Sequence, residues 1–118
     1  MTIPTNPLDI TQEITRLHAE FCSALADARR LLLLYALADG PKNVSELTQA
    51  LGVSQPSVSH HLKILRERGL VLARREGANV AYQLADRRVI DALDLLRAVM
   101  REQISQRAEL LGSAAEGG

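Results

Sequence analysis

The stretch LTQALGVSQPSVSHHLKILRERGLV, residues Leu47 to Val71, decides the fold. Ser45 just before it is placed to cap a short helix that closes at Leu51, and Gly52 suits the left-handed position that follows a helix end. Two residues on, Ser54 is placed as the N-cap of a second helix. Pro56 is tolerated in that helix's first turn, where its missing N–H has no intrahelical acceptor, and Gly69 stops it. Val58, Leu62 and Leu65 form one apolar stripe that must face preceding helices. A helix, a glycine-containing turn and a second helix can lay the second helix in a DNA major groove, which is about 12 Å wide.

Outward from this stretch the remaining elements follow from period. After Gly69 the pattern alternates through Arg75, EGAN makes a turn, and Val80 to Leu84 returns as a second strand. Upstream, Ile10, Ile14, Leu17, Phe21 and Leu25 recur at helical spacing, with Asp9 and Gln12 as a cap, so a first helix is expected over 10–25. Asp27 is placed to cap a helix from Ala28 to Ala38 that Gly40-Pro41 ends. Asp86 is placed to cap a long last helix to about Leu111, nearly 40 Å at ~1.5 Å per residue. Val89, Leu93, Leu96, Met100 and Ile104 make its apolar stripe, which is too long for one small domain to cover. The fold class is therefore mainly α with a small β-hairpin: a winged helix-turn-helix of about five helices and a two-stranded wing. The domain is expected over residues 10–111, between a flexible N-terminus (1–9) and a flexible tail (112–118).

Composition bounds the function. The 118 residues are 47% hydrophobic with no Trp and 3% aromatic, so the core must be aliphatic. The longest apolar run, Leu31 to Ala38, is eight residues, against the ~20 that cross a bilayer. No membrane association is expected. The N-terminus shows no basic start and apolar stretch of a secretory signal, and Cys22 is the single cysteine, so the chain is read as cytoplasmic. Fourteen basic residues balance fourteen acidic ones, an unusual total for a DNA-binding domain. Residues 54–79, however, hold five basic against two acidic residues, a net +3, and this is the segment that carries the motif.

The expected partner is double-stranded DNA. Ser54, Gln55, Ser57, Ser59 and His60 stand at the exposed start of the second helix, with Gln55 suited to bidentate reading of adenine. At ~100° per residue His60 points away from the Val58 direction, whereas His61 lies nearer the core edge and reads as a packed structural histidine. Lys63 and Arg66, with Arg74 and Arg75 beside the turn, would line a phosphate backbone; the plainer reading of Lys63 and Arg66 is a solvated helix face. No phosphate-binding glycine loop, readable catalytic triad or catalytic-metal ligand set is present, so neither an enzyme nor a cofactor is expected. A winged-helix dimerisation module that does not bind DNA is the rival reading.

Three blocks, ALADARRLLLLYAL (24–37), SQPSVSHHLKILRERGLV (54–71) and RREGANVAYQL (74–84), together resemble the ArsR/SmtB family of bacterial repressors, over residues 10 to about 104. The resemblance implies a homodimer made by the first and last helices, with Ile14, Leu17, Phe21, Leu93, Leu96 and Met100 at the interface. It also implies an inverted-repeat operator released by an inducer. The inducer stays unidentified, because the family's two metal sites are broken. Where metalloid sensors carry Cys-x-Cys, this chain has Asn43 and Ser45; where others bind zinc between the last helices, it has Asp86, Arg88, Val99 and Glu102. No metal site is expected from either set. His18 and Cys22, four apart on the first helix, could chelate one ion; the competing reading makes Cys22 a small packed residue.

Overall fold

In a computed structural model of the chain, residues 7–117 are described, with side chains over 9–112. The chain divides into two compact units, Met1–Asp86 and Arg87–Gly118. Of the flexible segments expected at the two ends, residues 1–6 and 118 lie outside the described residues, whereas 7–9 and 112–117 are helical.

The first unit begins with α1 (Pro7–Leu17), a π-helical turn (His18–Cys22) and α2 (Ser23–Leu25), which form one helical path. Helix thus starts three residues earlier than the sequence suggests, and Asp9 lies inside the first turn instead of capping it. The π turn was not legible, and it closes at Ser23. Its hydroxyl bonds the carbonyl of Ala19 at 2.6 Å, the acceptor an α-helix would give to its amide. The amide reaches back to the carbonyl of His18 instead. Asp27 caps α3 (Ala28–Ala36) by accepting from the Arg29 amide at 2.8 Å, as expected. Its last turn tightens to a 3-10 turn, Leu37–Asp39, before Gly40.

Helix α4 (Val44–Leu51) corrects one expectation. Its cap is Asn43, not Ser45, because Asn43 and Glu46 satisfy each other's amides at 2.8 and 3.0 Å in a capping box. Gly52 takes the left-handed conformation at φ +65°, which turns the chain into α5 (Gln55–Glu67). Ser54 caps α5, and Val58, Leu62 and Leu65 are buried at 1%, 0% and 0% exposure. With Leu33, Leu34, Leu47, Leu70 and Val71 they make an all-aliphatic core.

Strands β1 (Val71–Glu76) and β2 (Asn79–Leu84) pair antiparallel, Ala73 opposite Tyr82 and Arg75 opposite Val80, about the turn at Gly77 (φ +61°). A further bridge joins Lys42 to the free edge of β2 at Tyr82. The second unit is one helix, α6 (Arg88–Gly117), which continues past the expected end at Leu111. Along its stripe Leu93 is buried, while Leu96, Met100 and Ile104 are 66%, 52% and 57% exposed.

Candidate nucleic-acid interface

The capped start of α5 sets the surface. Helix geometry that buries Val58, Leu62 and Leu65 turns the opposite side chains out, and Ser54, Gln55, Ser59 and His60 are exposed there, with Ser57 half-buried. Ser54 Oγ accepts from the Ser57 amide, so this side chain is committed to the cap. Further along the helix, Lys63 and Arg66 are exposed on the row that begins at Gln55 and Ser59.

The hairpin separates its two arginines. Alternation along β1 puts Arg75 on the same sheet face as Ala73, hence as Tyr82, and puts Arg74 on the other. Both arginines are exposed. Among the described residues Lys63, Arg66, Arg74 and Arg75 have no acidic partner, whereas Arg16 pairs with Glu20 at 3.3 Å and Arg29 with Asp27 at 3.7 Å. Zero net charge therefore coexists with a concentration of uncompensated positive charge on α5 and the hairpin, which is where a polyanion would dock.

Beneath this surface lies a link that sequence reasoning missed. Arg30 on α3 donates to the carbonyls of Ala24 (2.6 Å) and Ser23 (3.3 Å) in α2, and to His61 Nδ1 on α5 at 3.3 Å. Since a guanidinium only donates, His61 Nδ1 must accept, and the ring proton sits on Nε2. Burial lowers the His61 pKa below its ordinary value; the Asp27 carboxylate opposes this, and the charges of Arg29, Arg30 and His60 add to it. For Asp27, partial burial pushes the pKa up but is outweighed by the amides of Arg29 and Arg30 and the charges of Arg29 and His61, so it is lowered. His61 is 4% exposed, as its place near the core edge implied. Arg30 gave no sequence signal because it stands beside an apolar run whose period says nothing of a neighbouring polar bond.

The remaining candidates divide as follows. Ile14 and Leu17 on α1 are 56% and 49% exposed, Phe21 is half-buried, and Leu93 is covered, unlike Leu96 and Met100. His18 and Cys22 are the two ends of the π turn and both are exposed, so Cys22 is not a core residue of the protomer. Among the described residues no three His, Cys, Asp or Glu side chains are grouped to hold a metal. Asn43, at a family ligand position, spends its side chain on the α4 cap.

Comparison with known proteins places this geometry among regulators. Residues 27–72 match the family described as "Bacterial regulatory protein, arsR family". The chain is similar to the HTH-type transcriptional regulator NmtR of Mycobacterium tuberculosis, 41% identical over 91 residues that span 77% of this chain and 74% of that protein. It is 52% identical to a transcriptional repressor SmtB homolog of Synechocystis over 62% of this chain and 55% of the relative. The crystal structure of Rv0081 from M. tuberculosis superposes with TM-score 0.70 at 30% identity, covering 88% of this chain and 99% of that one. A homodimeric winged helix-turn-helix DNA-binding domain from Mycobacterium bovis, a possible ArsR-family regulator, does so with TM-score 0.68 at 30% identity, over 88% and 93%.

Proposed function

This chain belongs to the ArsR family of bacterial regulatory proteins, and from that premise we propose that it is a homodimeric, sequence-specific repressor that leaves its operator when an inducer binds. The observation that carries the reading is the surface of α5 and the hairpin: a polar helix start of Gln55, Ser59 and His60 flanked by four cations that lack acidic partners among the described residues. Gln55, Ser57 and His60 read base edges, while Lys63, Arg66, Arg74 and Arg75 meet phosphates. The exposed apolar side chains Ile10, Ile14 and Leu17 of α1, and Leu96, Met100 and Ile104 of α6, support dimerisation, since such rows gain by removal from water. A two-fold dimer presents two α5 helices, so its operator is an inverted repeat. Acting on chromosomal DNA places the protein in the cytoplasm; among the described residues no helix is long and apolar enough to cross a membrane. The relatives are named as regulators, and the chain is read as a binder, not an enzyme.

The test is binding of the purified protein to DNA from upstream of its own gene and to shuffled DNA of equal composition, at near-physiological salt. A preference of about 10³-fold or more is expected. Equal affinity for the two would instead support an interaction module.

A further inference from the structure

A groove of about 520 Å³ lies between α5 and β2, lined by Ser59, Lys63, Arg66, Glu67 and Tyr82. Its α5 wall is a single row, since residues 59, 63 and 66 are spaced four and three apart. Its β2 wall is Tyr82, whose backbone is fixed from both sides. It pairs with Ala73 on β1, and on the other edge its N–H and C=O exchange bonds of 2.8 and 2.9 Å with Lys42. The side chain thus belongs to a held strand position, not to the wing tip. The same sheet face carries Arg75 two positions toward the turn.

Among the described residues neither cation has an acidic partner, and no side-chain bond occupies the hydroxyls of Ser59 and Tyr82. Glu67 sits in the same wall without neutralising Lys63 or Arg66 by a direct ion pair. Two cations and two hydroxyls line this one groove, a set that suits a tetrahedral oxyanion. The groove continues the exposed α5 row that starts at Gln55, which suits a phosphodiester of the duplex that row would meet.

We propose that this groove seats one DNA backbone phosphate per protomer, with the Tyr82 hydroxyl donating to it beside Lys63 and Arg66, and with Glu67 repelling it. The proposal rests on the DNA-binding reading above and adds Tyr82 and Glu67 to it as opposed determinants of affinity. Neither residue reads sequence, so both act on all DNA alike. They separate by charge: losing a hydroxyl weakens binding without changing the number of counterions released, whereas losing a cation changes both.

The experiment measures affinity of wild type, Tyr82→Phe, Glu67→Gln and Lys63→Ala for operator and random DNA across a salt series, with thermal melting as a check on the fold. Tyr82→Phe should weaken both DNAs by the same factor, about tenfold for the dimer, with unchanged salt slope and melting. Glu67→Gln should tighten both several-fold. Lys63→Ala should weaken both and flatten the slope by about one counterion per protomer. If wild type prefers the operator but Tyr82→Phe binds as wild type does, the phosphate seat is wrong while the regulator reading stands. If wild type binds neither DNA, both fall. Inorganic phosphate is the second arm. At matched ionic strength it should not displace DNA, and displacement that Tyr82→Phe abolishes would overturn the assignment to the DNA backbone in favour of a free-phosphate site.

Discussion

Removing Arg75 tests whether the uncompensated charge on the hairpin is used. The side chain is exposed, shares the Tyr82 face of the hairpin and has no acidic partner among the described residues. If it meets a phosphate, Arg75→Ala removes one contact per protomer and two per dimer. Each contact contributes about 0.9 to the slope of log affinity against log salt, so the slope should flatten by roughly 1.8. Between ~50 and ~200 mM salt this amounts to about a tenfold smaller loss of affinity for the variant than for wild type. Fluorescence anisotropy of labelled operator and random duplexes at several salt concentrations measures it directly, and both duplexes should respond alike. Arg16 serves as the control, because its charge is already paired with Glu20. A variant Arg75→Ala that keeps the full slope, or an Arg16→Ala that flattens it equally, would refute the reasoning.

Other expected outcomes follow from the same geometry. Asn43→Ala should cost about 1 kcal/mol in denaturant unfolding, since it removes the side-chain oxygen that accepts from the Glu46 amide, while Ser45→Ala should be nearly neutral. His61 is neutral in the fold with a pKa below the ordinary 6.5. Its contribution is therefore whole above pH ~6.5 and is lost as pH falls from there toward the lowered value, because the unfolded chain takes up the proton first. His61→Gln should remove that part of the pH dependence of melting, and an unaltered acid limb would count against a buried, neutral His61. Leu96→Glu changes a residue 66% exposed in the protomer, so it should yield folded monomers by sedimentation where wild type is a dimer; a persistent dimer would move the interface elsewhere.

What the sequence made legible was set by how local each cause is. Gly52, Ser54 and Gly69 act on their own backbone, so the helix-turn-helix could be read directly, and the stripe of Val58, Leu62 and Leu65 fixed which side of α5 is buried. The Asn43 cap was misplaced by two residues because Asn43 and Ser45 are both good caps, and only the reciprocal bond from Glu46 separates them. The π turn is a local shift of backbone bonding, with the Ser23 amide reaching His18, that the apolar period does not report. Arg30, Lys42 and Tyr82 were invisible for a different reason. Their roles come from neighbours distant in sequence: Arg30 meets His61 thirty-one residues on, and Lys42 fixes Tyr82 through a single bridge with no strand pattern around it. For the proposed binding surface, the exposure of Gln55, His60, Lys63 and Arg66 followed from helix phase alone, whereas the split of Arg74 and Arg75 between two faces required the hairpin register.

The central claim is that two copies of α5, related by two-fold symmetry, read DNA sequence. Enrichment of the purified protein's ligands from a random duplex pool tests it most directly. The account expects an imperfect inverted repeat whose half-sites lie about one helical turn of DNA or a little more apart, and expects Gln55→Ala to blur the bases of that repeat while leaving overall DNA affinity largely in place. A pool that yields no common motif, or a motif that Gln55→Ala leaves untouched while binding to every duplex falls equally, would contradict it.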